Sequence, residues 1–138
     1  MRLKVLSYIG WVQAAGAMSG SLFFSEIWRL PPCLLCWYQR ILMYPLVVII
    51  AVGILRKDKD LPFYALPLSV GGMVIAFYHM LLYWGVLPES VAPCILGISC
   101  TTKFFEWYGF VTIPFLSFLA FFVITTCMVL VLRGNRKN

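Results

Sequence analysis

Two cysteines two residues apart, Cys33 and Cys36, open the run Cys33-Leu34-Leu35-Cys36-Trp37-Tyr38-Gln39-Arg40. Thiols at this spacing close a small ring when oxidised, which favours a reversible redox couple over a structural staple. Pro31 and Pro32 precede the pair, and Arg40 follows Cys36 by four residues. On a helix, positions four apart share a face. A helix starting here places Cys36 where the macrodipole favours a thiolate, and the Arg40 guanidinium offsets negative charge beside it. An arginine just inside an apolar segment is costly. Snorkelling to the headgroups is one role for it; stabilising an anion next to Cys36 is the reading preferred here. Three more cysteines follow, Cys94, Cys100 and Cys127. The odd total leaves at least one outside any intramolecular pairing.

The elements that must position these residues are apolar. Of 138 residues, 62% are hydrophobic and 12% charged, against about a quarter charged in ordinary soluble domains. A chain this small cannot hide that much apolar surface from water, so the excess faces lipid. Four apolar segments, each near the roughly 20 residues of a bilayer-spanning helix, cover about 5–24, 38–55, 61–87 and 109–132. The expected architecture is an all-α membrane protein, one domain over 1–138, forming a four-transmembrane-helix bundle. Gly16 and Gly20 in the first segment form a small-xxx-small pair suited to close helix packing. Pro45, Pro67 and Pro114 lie inside or near the ends of the runs, which membrane helices tolerate. Arg2 and Lys4 followed by Ala15-Gly16-Ala17 resemble a cleaved signal peptide. The apolar run continues through Met18 to Phe24, however, and reads as a retained span.

The net charge of +6 does not indicate nucleic acid, because the basic residues fall in short runs between apolar segments. With four spans, Arg2, Lys4, Arg56, Lys57, Lys59, Arg133, Arg136 and Lys137 share one side, while Arg29, Arg40 and Lys103 share the other. The positive-inside rule then puts both termini in the cytoplasm and both cysteine-bearing loops outside, where disulfides persist. Cys127, near the cytoplasmic end of the last span, is read as a small packing residue. If the thiols accept electrons, those electrons must leave. The sequence has no Gly-rich nucleotide motif, no Cys-x-x-Cys-His haem site and no soluble domain for a flavin. A lipid-soluble quinone is the economical acceptor, and reduction makes its oxygens anionic, where Arg40 helps.

The Cys33–Arg40 segment, with a second cysteine pair after the third of four helices, resembles the DsbB family of disulfide-bond-formation proteins. The short Cys94-Ile95-Leu96-Gly97-Ile98-Ser99-Cys100 pair and the Ile113-Pro114-Phe115-Leu116 start of the last helix are similar to its compact BdbC-type members of Gram-positive bacteria. In the related vitamin K epoxide reductase-like proteins the order of the two pairs is reversed. The resemblance implies a multi-pass protein of the bacterial plasma membrane that reoxidises an extracytoplasmic thioredoxin-fold thiol oxidase (DsbA- or BdbD-like). It implies redox disulfides Cys33–Cys36 and Cys94–Cys100. Cys94 would form the mixed disulfide with the partner, Cys100 would exchange with Cys33, and Cys36 would face the quinone. Electrons would pass to menaquinone or ubiquinone and so to the respiratory chain, with Arg40 as the quinone-associated arginine. Such relays run by thiolate attack through mixed disulfides.

His79, the sole histidine, sits in the outer half of the third segment. It is read either as a hydrogen-bonded packing residue or as a donor to the quinone. Trp37, Tyr38, Tyr83, Trp84, Phe104, Phe105, Trp107 and Tyr108 fit an interfacial aromatic belt. Phe104 to Tyr108 are expected on a short interfacial helix, and Trp37 also suits a wall of the quinone site. Glu26 and Glu106 read as solvated rim charges. Two other functions fit the cysteines alone: a tetrahedral zinc site of Cys33, Cys36, Cys94 and Cys100, and a scaffold stapled by two inert disulfides. Neither needs Arg40.

Overall fold

A computed structural model describes residues 2–29, 34–88, 106–107 and 111–137. Cys33, Cys94 and Cys100 lie outside the described residues, as do Phe104, Phe105 and Tyr108. Within them the chain forms four long helices: α1 Arg2–Leu22, α2 Leu34–Arg56, α3 Leu61–Tyr83 and α4 Ile113–Lys137. A π-helical turn, Phe23–Ile27, prolongs α1. Three of the four, α2, α3 and α4, are long and apolar enough to cross a membrane. The first helix has the length but carries Arg2, Lys4, Gln13 and three serines. Glu106–Trp107 (β1) pairs antiparallel with Val111–Thr112 (β2), so the chain at Trp107 is extended where a helix was expected.

Each helix packs against its two neighbours in the order α1, α2, α3, α4 and back to α1. Leu3 lies against Gly134, and Asn135 Nδ2 donates to the Lys59 carbonyl at 2.8 Å. Both ends of the described chain and the Arg56–Asp60 turn therefore share one end of the bundle. The core runs along the centre through Ala14, Met43, Leu46, Ile50, Leu61, Ala65, Ala76, Phe121, Ile124 and Met128. Cys127 belongs to it, buried at 6% exposure, as its packing role requires. Large apolar side chains such as Val12, Val48, Phe63, Val74 and Phe122 point outward, as they do on helices solvated by lipid.

The close helix contacts fall at other glycines than the pair in α1. A Cβ on Gly72 would lie 2.1 Å from Phe121 Cε1, and one on Gly53 would lie 2.6 Å from Leu61 Cδ1. A Cβ on Gly16 or Gly20 would meet nothing within 4 Å among the described residues. The small-xxx-small pattern marks a surface on which helices can approach; here α3 uses it against α4, and α1 leaves Gly16 and Gly20 open.

Two helix ends differ from the apolar boundaries for a local reason. α3 stops at Tyr83, not Leu87, because Gly85 turns left-handed at φ 76°. Val86 N then donates to Leu81 O and Gly85 N to Leu82 O, a Schellman cap. The same pattern closes α2, with Lys57 at φ 54°, Asp58 N to Gly53 O and Lys57 N to Ile54 O. α2 begins at Leu34, four residues before the apolar estimate, which places Cys36 within its first turn.

Candidate active site

The start of α2 carries Cys36, Trp37, Gln39 and Arg40, and three of these face into the bundle to different depths. Leu35 is buried and packs with Leu82 of α3, and Cys36, Ile75, Tyr78 and Leu87 close around that contact. Half-buried Cys36 thus lies in an apolar nook between the entry of α2 and the exit of α3. Its first-turn position leaves it near the unsatisfied N–H groups and positive end of the helix dipole.

Arg40 is one turn further on and half-buried. Its Nε donates to Ser21 Oγ at 2.8 Å and its Nη2 to the Ser21 carbonyl at 2.9 Å; Nη2 also donates to Ser25 Oγ. The guanidinium therefore grips the end of α1 and the π-turn instead of snorkelling. π-turns recur at functional sites because they widen a helix locally. These contacts use three of the five N–H donors of a guanidinium. Among the described residues, both N–H groups of Nη1 are left for another acceptor. Trp37, half exposed, lies with its ring 5.4 Å from the Arg40 carbon Cζ, a cation–π distance. It stands on the outer surface of the bundle and flanks the guanidinium from that side.

His79 of α3 is 3% exposed and Gln39 of α2 is 7% exposed. The Gln39 amide Nε2 donates to His79 Nδ1 at 3.1 Å. Thus Cys36, Arg40, Trp37 and His79 gather at one end of the α2–α3 pair, opposite the chain termini. A quinone ring, with two carbonyl oxygens and an apolar face, suits what is present there. Arg40 Nη1 offers N–H donors for a developing anion, and Trp37 and Leu34 offer exposed apolar surface beside it.

Gln39, Ser21 and Ser25 escaped the reading of the sequence. The trace they leave there is real but weak: polar residues in membrane-length helices tend to face the bundle. Ser21 and Ser25 are also four apart, on one face of α1.

These features define a class: a small helical membrane bundle with a cysteine at a helix start and an anchored arginine one turn away. The sequence profile described as "Disulfide bond formation protein DsbB" matches residues 4–131. The chain is 43% identical over 134 residues to the Disulfide bond formation protein C of Bacillus subtilis, covering 97% of this chain and 96% of that one. It is 46% identical over 123 residues to the Probable disulfide formation protein C of Halalkalibacterium halodurans, covering 89% and 90%. This chain belongs to the DsbB family. No solved structure matches it.

Proposed function

We propose that the protein is a quinone-dependent thiol:disulfide oxidoreductase that reoxidises an extracytoplasmic thioredoxin-fold dithiol oxidase. The observation that carries this reading is the anchored Arg40 guanidinium one turn from Cys36, whose Nη1 donors have no acceptor among the described residues. A metal cluster or an inert staple has no use for such a group. In this scheme Cys94 and Cys100 take electrons from the partner, and Cys33 and Cys36 receive them by disulfide exchange. A bound quinone, menaquinone or ubiquinone, supplies the two-electron sink. The chain's residues do the rest: the start of α2 keeps Cys36 toward its thiolate, Arg40 holds positive charge where anionic oxygen develops, and Trp37 shields that charge from the outside. The scheme requires four spans with both termini cytoplasmic and the cysteine pairs outside.

The test is a coupled assay with purified protein, quinone and a reduced thioredoxin-fold substrate. We expect about two thiols oxidised per quinone reduced, as a two-electron couple demands. Thiol oxidation that ignores quinone would sink the proposal. Reporter fusions in the Arg56–Asp60 turn should report a cytoplasmic location; an external location would remove the cysteines from the oxidising side.

A further inference from the structure

The end of the bundle opposite Cys36 carries a crevice that the thiol chemistry does not use. It encloses about 210 Å³ between the start of α1, the α2–α3 turn and the last turns of α4. Its lining is graded from inside to outside: Leu61 and Val131 are buried, whereas Lys4, Lys57 and Lys59 are exposed. Among the described residues the lining carries one carboxylate, Asp58, and that group is engaged elsewhere. Its Oδ1 accepts the Asp60 N–H at 2.9 Å, its Oδ2 accepts the Tyr64 hydroxyl, and the cation acting on it is Arg56. Three ammonium groups therefore line the crevice with no carboxylate partner among the described residues.

Two features say which anion fits. Lys4, Tyr8 and Val12 follow one another at successive turns of α1, all exposed, with Tyr8 at 54% and Val12 at 61%. An ammonium, an amphipathic ring and an aliphatic side chain thus run from the crevice onto the outer face of the helix. That is the order of a phospholipid: charged head, ester region, hydrocarbon. Lys57 supplies the second feature. It occupies the left-handed position that closes α2, at φ 54°, where glycine or asparagine is usual. Strain retained at such a position points to a task for the side chain. We propose that the crevice binds the phosphate of an anionic phospholipid, with Lys4, Lys57 and Lys59 around the headgroup and an acyl chain along Tyr8 and Val12. Lysine meets phosphate as a point charge, and each lysine near an anionic lipid surface is worth about fivefold in affinity. A phosphatidylcholine headgroup gains little, because its choline cancels the phosphate charge. The proposal stands apart from the quinone-coupled reading above.

The test is native mass spectrometry of the full-length protein in detergent micelles doped with phosphatidylglycerol or phosphatidylcholine. The wild type should retain phosphatidylglycerol about tenfold more tightly than phosphatidylcholine. Lys4→Gln/Lys57→Gln/Lys59→Gln should weaken that retention about a hundredfold, a factor of about five for each lysine, with the circular dichroism spectrum unchanged. The matching triple change to arginine should keep it. Arg133→Gln/Arg136→Gln/Lys137→Gln removes the same charge from the same end outside the crevice lining, and should leave retention intact. If the first triple variant fails to fold, Lys4→Gln alone should still cost about fivefold. Undiminished retention in the crevice variants overturns the proposal. So does equal loss in both glutamine triples, which reduces the effect to diffuse surface charge. Equal retention of the two lipids also overturns it, as does displacement of phosphatidylglycerol by millimolar inorganic phosphate, the mark of a site for a free anion.

Discussion

The two ends of the bundle solve the same problem, satisfying polar groups beside apolar helices, in opposite ways. At the end holding Arg56–Asp60, the bonds are local but for one from Asn135, and most involve backbone atoms. Schellman bonds close α2, Asp60 N donates to Asp58 Oδ1 at 2.9 Å, Tyr64 donates to Asp58 Oδ2, and Asn135 reaches the Lys59 carbonyl. A cavity of about 210 Å³ between Lys4, Tyr8, Lys57 and Asn135 remains there. At the Cys36 end, side chains bridge different helices: Arg40 to α1, Gln39 to His79. Local bonds survive the loss of a neighbour, because water replaces the partner. Bonds between helices in an apolar setting have no such substitute, so each fixes one side chain against another. The first arrangement ends helices; the second holds a site.

The comparison breaks most visibly at Arg40. Arg40→Leu should cut quinone-coupled turnover roughly 10- to 100-fold, the range for losing a hydrogen bond to a charged group, with partner mixed-disulfide formation largely retained. Equal loss of both rates in a stopped-flow thiol assay would mean that the substitution unfolds the site. A smaller effect is expected for Ser25→Ala, which removes one of three anchors and leaves both Ser21 contacts. We expect about a threefold rise in quinone KM, the lower end of a single hydrogen bond's worth, with kcat unchanged. An unaltered KM would mean that Ser21 alone fixes the guanidinium.

The smallest effect belongs to the opposite end. Hydrogen bonds from Tyr64 and then from the Asp60 amide hold the Asp58 carboxyl below its ordinary value of 3.8, and Arg56 adds to this. A depressed folded-state value means that ionised Asp58 stabilises the fold above pH 3.8 and that this contribution fades as pH falls through the lower folded value. Asp58→Asn should therefore lower Tm slightly at neutral pH without touching turnover, and the two Tm curves should converge on acidification below pH 3.8. A gap that widens toward acid would show that the Asp58 bonds do not favour its charged form.

Much of the architecture was legible because lipid imposes a one-dimensional rule. Apolar length alone locates α2, α3 and α4, and the four-residue spacing of Cys36 and Arg40 puts them on one face of α2 before any packing is known. Boundaries were less legible. The cap at Gly85 sits inside a continuous apolar run, so hydropathy extends α3 past its real end, while Leu34 and Leu35 before the apolar estimate already belong to α2. The glycine pair in α1 misled for a related reason: small residues permit close approach, but the facing helix decides whether it happens, and Phe121 chose Gly72.

By itself, then, the sequence determined the helical membrane class, the Cys-x-x-Cys spacing with Cys36 near a helix start and the arginine one turn beyond it, because each follows from residue type and spacing along one element. Tertiary structure alone decided what those residues touch. Ser21 and Ser25 lie 19 and 15 residues from Arg40, and His79 lies 40 from Gln39. No helical period links such positions; only the packing of α1 against α2, and of α2 against α3, brings their polar atoms within hydrogen-bond reach.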